Sequence, residues 1–168
     1  MQVIKQPLVS VISVNYNQSD VTCEMLSSFQ EVTYPNYEII IVDNASPTEN
    51  PDSIKERYPE INLIVSKDNL GFAGGNNLGI KQAKGKYLLM LNNDTEVEPG
   101  FLDPLVELME SDLKIGIASP KIHYYYKENT IQYAGCPSMN LITSRAVYNG
   151  YNEKDHGQYD QVTETHAP

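Results

Sequence analysis

Runs of Val, Ile and Leu alternate along the chain with segments in which apolar residues recur at helical spacing. The runs are rich in β-branched residues and have no helical period, which is typical of strands buried on both faces. In segment 19–31, by contrast, the apolar side chains share one helical face. The pattern predicts five strands, at 8–15, 38–44, 61–66, 86–92 and 114–122. It predicts four helices, at 19–31, in the second half of 46–59, at about 73–83 and at 99–111.

The order of these elements indicates the fold class. Strand and helix alternate with short connections over roughly 120 residues, and the strands are apolar throughout. That pattern predicts an α/β fold in which a mostly parallel sheet carries helices on both faces. After Pro120 the sequence changes to short Tyr-rich stretches and a tail with few aliphatic residues. We therefore divide the chain into an α/β region, 1–122, and a region of short strands and loop, 123–168.

Composition narrows the classes of function. The 168 residues have the size of one domain, and no apolar run is long enough to cross a bilayer. The 22 acidic and 12 basic residues give a net charge of −10, which argues against a nucleic-acid-binding surface. An acidic protein can still bind an anionic small molecule if a divalent metal ion inverts the local field. Cys23 and Cys136 lie far apart and form no metal-ligand spacing, so we expect a reduced, cytoplasmic setting.

Three of the predicted strands end in polar residues, at the edge where a parallel sheet binds its ligands. They are Asn15-Tyr16-Asn17, Asp43-Asn44 and Asn92-Asn93-Asp94. Asp43 has two interpretations, a turn residue that bonds its own backbone or an acceptor for the imide N–H of a nucleobase. Asp94 is either a turn residue or, beside two amides, a source of hard oxygen ligands for Mg²⁺ or Mn²⁺. Neither is needed as a helix cap, because Ser46-Pro47 and the residues before Pro99 are closer to predicted helix starts.

The segment NLGFAGGNNLGI (69–80) is rich in glycine without being a dinucleotide-binding motif. Its glycines stand at 71, 74, 75 and 79, a spacing that does not match G-x-G-x-x-G, and they follow the third strand instead of the first. The missing Cβ atoms allow close backbone approach to a ligand, and Asn76 and Asn77 can donate amide N–H groups there. The alternative is a tight turn packed under the sheet.

Five segments together resemble the N-terminal part of glycosyltransferase family 2, closest to its rhamnosyltransferase-like branch. They are VSVISVNYN (9–17), YEIIIVDNAS (37–46), NLGFAGGNNLGI (69–80), GKYLLMLNNDTEVEPGFL (85–102) and IGIASPKI (115–122). They occur in the family's order and cover roughly residues 7–122. The resemblance implies the GT-A fold, a Rossmann-like, mostly parallel sheet with helices on both faces. It also implies metal-dependent transfer of a sugar, with inversion, from a nucleoside diphosphate sugar.

The resemblance implies a role for each matching position. Asn15 and Tyr16 stand where the family's first strand meets the nucleobase, and Asp43 matches the acid that binds the pyrimidine N–H. The remaining positions are Asn76 and Asn77, which would line the nucleotide, Asn93, which would lie near the ribose, and Asp94, which would bind Mg²⁺ or Mn²⁺. The family's Asp-x-Asp triplet usually opens with an acid, whereas this chain has Asn92 and Asn93. Each amide removes a charge, which lowers the expected metal affinity.

The resemblance also implies what the chain lacks. The family continues for about another hundred residues, with acceptor-binding elements and an acidic general base, so we expect the catalytic base beyond residue 168 and a chain truncated before the acceptor half. Such a fragment would bind a pyrimidine nucleoside diphosphate weakly and transfer sugar poorly or not at all. The branch favours dTDP-rhamnose, with UDP-sugars as the alternative. The acceptor would be a saccharide or a lipid-linked precursor, which places the parent enzyme in the cytoplasm, at the inner face of the membrane.

Three other functions compete with this one. A module of the same fold that binds a nucleotide sugar without catalysis would lack the acidic base in the full-length protein as well. A dinucleotide-dependent oxidoreductase is disfavoured by the spacing and position of the glycines. A phosphoacceptor receiver domain is disfavoured because Asn15-Tyr16-Asn17 stands where that class needs an acidic pair.

Overall fold

The computed structural model describes residues 6–140 and 145–164, and these form two compact units, Met1–Leu102 and Asp103–Pro168. The first unit contains β1 (Val9–Asn15), α1 (Ser19–Phe29), β2 (Tyr37–Asp43), α2 (Asp52–Arg57), β3 (Asn62–Val65), α3 (Gly71–Ile80) and β4 (Tyr87–Met90). Helix α4 (Leu102–Ser111) begins at its boundary. The second unit continues with β5 (Ile122–His123), β6 (Ile131–Tyr133), β7 (Ser138–Asn140) and β8 (Arg145–Val147). The predicted functional boundary at residue 122 stays a prediction.

The sheet of the first unit has the strand order β3-β2-β1-β4, and every neighbouring pair is parallel. This confirms the predicted α/β fold. In the register of β1 and β2, Val9 lies opposite Tyr37 and Asn15 lies opposite Asp43. The last residues of these two strands are therefore neighbours at the carboxyl edge of the sheet.

Helices cover both faces of this sheet. On one face, Thr22 of α1 donates to Asn15, and the ring of Phe29 lies 5.8 Å from that of Tyr37. On the other face, a buried cluster of Ile12, Ile40 and Val42 is covered by residues that include Leu78 and Ile80 of α3. Since side chains alternate along a strand, even-numbered residues of β1 face α3 and odd-numbered ones face α1.

The glycines of α3 serve its packing on the sheet. A Cβ at Gly79 would lie 2.6 Å from Cγ2 of Ile12, and one at Gly75 would lie 3.0 Å from both γ-carbons of Val14. Only glycine lets the helix backbone approach β1 this closely. The segment is thus a helix seated on the sheet, and Gly75 and Gly79 serve that contact.

The predicted fifth strand is wrong. Residues 114–121 form no strand, and only Ile122–His123 is extended, paired antiparallel with β6 in a separate sheet. A strand needs a partner, and Pro120 both lacks a donor and restricts Ser119 before it. Ile117, whose apolar character suggested burial, is 70% exposed.

Two helix starts also differ from the prediction. The helix predicted in the second half of 46–59 is confirmed as α2, which starts at Asp52, whereas the segment at Ser46-Pro47, where a helical turn was expected, is a loop. Helix α4 starts at Leu102, three residues after Pro99. In both cases the proline stands in the loop ahead of the helix.

The second unit consists of short antiparallel pairs joined by polar contacts. Strand β5 pairs with β6, β7 pairs with β8, and an isolated bridge joins Thr130 to Lys154. Nζ of Lys121 lies 2.5 Å from a carboxylate oxygen of Asp155 and 2.6 Å from one of Asp160. Of the helices that the structure describes in either unit, none has the length and apolar character to cross a membrane.

Candidate functional site

The carboxyl ends of β1 and β2 carry a buried polar pair. Asn15 is 0% exposed and Asp43 is 1% exposed, and they are partners in the sheet register. Both have odd numbers in strands whose odd positions face α1, so their side chains meet on the same face. Nδ2 of Asn15 donates to Oδ1 of Asp43 at 2.8 Å. The parallel register thus brings two predicted site residues into contact.

The turn after β2 adds two further donors to Asp43. Ala45 adopts a left-handed backbone conformation, with φ of 62°, and this turns the chain back over the strand end. The backbone N–H of Ser46 donates to Oδ2 of Asp43 at 3.0 Å, and its hydroxyl donates to Oδ1 at 2.5 Å. Asp43 therefore makes the turn contacts of the simpler interpretation. An ionised carboxylate has about four acceptor positions, so these three bonds leave one unused.

The loop after β4 is tied to the same cluster through α1. The hydroxyl of Thr22 donates to Oδ1 of Asn15 at 2.9 Å. Nδ2 of Asn93 in turn donates to Thr22 Oγ1 at 3.1 Å and to Gln18 Oε1 at 3.2 Å. One chain of hydrogen bonds therefore joins the ends of β1 and β2 to the loop that follows β4.

Among the residues of this hydrogen-bond network, Thr22 was not predicted from the sequence. It is fully buried, and it lies three and four residues before the buried residues Met25 and Leu26. A threonine at an apolar-face position in the first turns of a helix is the signal that could have identified it.

Asp94 follows Asn93 directly and has a different environment from Asp43. Its side chain is exposed and makes no hydrogen bond or ion pair within the ranges that the structure covers. The same part of the chain contains no group of three His, Cys, Asp or Glu residues able to hold a metal ion. A single open carboxylate suits Mg²⁺ or Mn²⁺ held jointly by protein, phosphate oxygens and water, rather than by a protein cage. Asp94 fits that form of site.

Tyr16 lies just beyond the buried pair and is 44% exposed. The neighbouring Asn17, with φ of 52°, accepts through Oδ1 from the hydroxyl of Thr48 at 2.9 Å and donates its backbone N–H to Ser46 Oγ at 2.8 Å. These contacts join the loops after β1 and β2. The Tyr16 ring is therefore presented to solvent from a braced turn.

The start of α3 is fastened to the end of β2. Buried Asn44 donates to Oδ1 of Asn69 at 3.0 Å and accepts from the backbone N–H of Leu70 at 2.9 Å. Farther along α3, Nδ2 of Asn76 donates to the carbonyl of Phe72 at 2.9 Å within its own helix, while Asn77 is exposed. The structure thus places Asn77 at the surface and engages the amide nitrogen of Asn76 locally.

Comparisons with known proteins identify the family and the fold of this chain. The profile described as "Glycosyl transferase family 2" matches residues 10–163. An uncharacterised glycosyltransferase of Bacillus subtilis, YwdF, is 31% identical over 105 residues, which is 61% of this chain and 38% of the relative. The first relatives are longer proteins, of which the match covers between 34% and 42%.

Two solved structures share the fold. S. aureus TarS 1–349 in complex with UDP has a TM-score of 0.55 at 21% identity, covering 71% of this chain and 43% of TarS. The mannosyltransferase PcManGT from Pyrobaculum calidifontis, in complex with GDP-Man and Mn²⁺, has a TM-score of 0.54 at 24% identity, covering 71% and 35%. At this level of identity the likeness shows the fold, which is of the GT-A type. The profile match spans nearly the whole sequence, and the chain belongs to glycosyl transferase family 2.

Proposed function

We propose that this chain is the donor-binding part of a metal-assisted, inverting glycosyltransferase. Its donor is a nucleoside diphosphate sugar, dTDP-rhamnose or a UDP-sugar, and its acceptor is a saccharide or a lipid-linked saccharide. The observation that carries the proposal is the hydrogen-bonded chain that gathers Asp43, Asn15 and Asn93 at one edge of the sheet. Ligands of open parallel sheets bind at that edge. The complexes of TarS with UDP and of PcManGT with GDP-Man support a nucleotide-sugar ligand.

In this proposal the base is bound by Asp43 and Tyr16. The remaining acceptor position of Asp43 takes the imide N–H of the pyrimidine, and the exposed ring of Tyr16 stacks on the base. Asn15 acts through Asp43, because its own amide is buried and engaged at both ends. Asn76 and Asn77 flank the nucleotide from α3.

The ribose and the diphosphate lie beside the loop after β4. Asn93 contacts the ribose, and Asp94 would hold Mg²⁺ or Mn²⁺ beside the phosphate oxygens. A metal ion held there would supply Lewis-acid stabilisation of the charge on the leaving nucleoside diphosphate. The chain's own contribution is to fix the nucleotide so that an acceptor hydroxyl, deprotonated by a general base, attacks the anomeric carbon in line.

Calorimetric titration of the chain with UDP and with dTDP, with and without Mn²⁺, tests the proposal. We expect Mn²⁺ to strengthen binding, and we expect Asp94→Ala to weaken binding in Mn²⁺ by about tenfold, to the metal-free level. Glu96→Ala is the matched control, since it removes an exposed carboxylate from the same loop. It should leave binding unchanged within about twofold.

Two results would contradict the assignment. If the chain bound neither UDP nor dTDP, the proposed donor-binding function would be wrong. If Mn²⁺ strengthened nucleotide binding equally in wild type and Asp94→Ala, the metal ion would not be bound by Asp94.

A further inference from the structure

Asp43 determines which group donates and which accepts in each hydrogen bond of the network at the site. An ionised carboxylate can only accept, so Asn15 must present its NH₂ group to Asp43. The carbonyl oxygen of Asn15 therefore faces Thr22, and the single hydroxyl proton of Thr22 is used in donating to it at 2.9 Å. The donors run from Thr22 through Asn15 to Asp43.

That direction determines what residue 93 must offer. With its proton used, Thr22 Oγ1 can only accept from the loop after β4. Asn93 supplies the required donor, and the same NH₂ group also donates to the side-chain oxygen Oε1 of Gln18. A carboxylate at position 93 would set its lone pairs against those of Thr22 Oγ1 and Gln18 Oε1.

Burial prevents water from easily replacing a missing member of this chain. Thr22 and Asn15 are both 0% exposed. A buried polar atom that loses its partner costs more than the lost bond contributed, because the atom is desolvated and unpaired. The hydrogen bonds that hold the loop after β4 to α1 are therefore not easily replaced by bonds to water.

We propose that Thr22 is a positioning residue that holds the loop carrying Asn93 and Asp94 against the Asn15–Asp43 pair, and that it selects an amide over an acid at position 93. The inference rests on the proposed function, since it concerns how the two ends of one nucleotide site are kept at a fixed separation. Asp43 serves the base end and Asp94 the diphosphate end. Thr22 contacts no ligand and acts through Asn15 and Asn93.

Removal of the hydroxyl at nearly constant shape tests the positioning role. Thr22→Val should raise the Kd for UDP in Mn²⁺ about tenfold and should reduce the ratio of affinities with and without Mn²⁺, because Asp94 adjoins the released residue. Thr22→Ser keeps the hydroxyl, so the Kd for UDP and the ratio of affinities with and without Mn²⁺ should stay close to those of the wild type. Ser13→Ala is the matched control, since Ser13 is buried on the same face of β1 and its hydroxyl has no hydrogen-bond partner.

Asn93→Asp tests the selection of an amide. It should weaken UDP binding in Mn²⁺ about tenfold although it adds a carboxylate beside the metal residue. In the Thr22→Val background the same change should have a much smaller effect, because the contact that it disrupts is already absent. Asn93 is only partly buried, so this variant carries the test even if Thr22→Val fails to fold.

Backbone amide exchange without nucleotide separates failure of this inference from failure of the proposed function. The N–H groups of Leu91 and Val97 flank the loop and donate to Ile12 and Ser28. Their exchange should accelerate at least about fivefold in Thr22→Val and Asn93→Asp, but not in Ser13→Ala. Unchanged exchange, or tighter UDP binding in Asn93→Asp, would overturn the inference. Accelerated exchange in a chain that binds no nucleotide would support the anchoring and overturn the function.

Discussion

Single glycines decide how closely α3 approaches the sheet. At Gly79 an added methyl group would lie 2.6 Å from Cγ2 of Ile12 and 3.2 Å from Cγ2 of Val42. Both atoms belong to β-branched side chains of buried strands, which cannot rotate away easily. By contrast, a methyl group at Gly100 would meet no atom within 4 Å.

Gly79→Ala should therefore destabilise the first unit by about 1–2 kcal/mol, since overpacking outweighs the helix propensity that alanine adds. Urea unfolding followed by far-UV circular dichroism measures the change. Gly100→Ala should alter the midpoint little. Equal midpoints for wild type and Gly79→Ala would mean that α3 has room to move away from β1.

At the residue scale, the sequence predicts those site residues whose position follows from the sheet alone. Asn15 and Asp43 are the last residues of parallel strands, and Asn93 follows a third strand closely, so their proximity follows from topology. Thr22 was missed because its contact depends on how α1 lies across the sheet. The turn interpretation of Asp43 anticipated its bond to the nearby backbone N–H of Ser46, but not the second bond from the Ser46 hydroxyl or the left-handed conformation of Ala45, which the side chain of alanine does not suggest.

At the scale of elements, an ion cluster connects β5 to the loop that holds Asp155 and Asp160. The hydrogen bond from Lys121, then those from the Gly157 N–H and from His123, hold the pKa of Asp155 well below its usual range. A carboxyl group whose pKa is lower in the folded state than in the unfolded chain stabilises the fold at pH values above its unfolded-state pKa. That contribution disappears as the pH falls below about 4 toward the folded value.

Lys121→Met should raise the pKa of Asp155 toward that of an ordinary aspartate, about 4. Carboxyl ¹³C chemical shifts recorded during an acid titration measure it. Lys114→Met removes another lysine of the same unit and should leave the Asp155 titration unchanged. If the Asp155 pKa stays depressed in Lys121→Met, the backbone N–H of Gly157 and His123 are sufficient to hold it.

The elements that the sequence predicted well are those determined by their own composition. The first four strands are continuous apolar runs, and each lies within two residues of its predicted bounds. The run at 114–122 looked similar but contains Gly116 and Pro120 and has no strand to pair with in the described part of the chain. Pairing partners are a property of the assembled sheet, so a short apolar run alone does not establish a strand.

At the scale of the whole molecule, the proposed nucleotide contacts all lie in the unit Met1–Leu102. Each unit contains one buried cysteine, Cys23 in the first and Cys136 in the second. Burial raises the pKa of the Cys23 thiol, which further lowers its reactivity. Alkylation of each thiol therefore reports the opening of its own unit.

UDP with Mn²⁺, at about one hundred times its Kd, should slow alkylation of Cys23 about a hundredfold, because a ligand that binds only the folded unit suppresses its opening. The measurement uses Cys136→Ala, which leaves Cys23 as the reporter, and mass spectrometry over time. In Cys23→Ala, the rate at Cys136 should not change. Equal slowing at both thiols would mean that the two units open together, and no slowing at Cys23 would place the ligand elsewhere.

Strand β1 lies between β2 and β4, although it precedes both in the sequence. During synthesis it leaves the ribosome before either neighbour exists, and its second edge is covered only after Met90 has emerged. Until then a Val- and Ile-rich strand has open backbone donors and acceptors, which makes it a target for chaperones and for aggregation. The central position of β1 thus exposes the nascent chain to a risk of aggregation that the finished sheet removes.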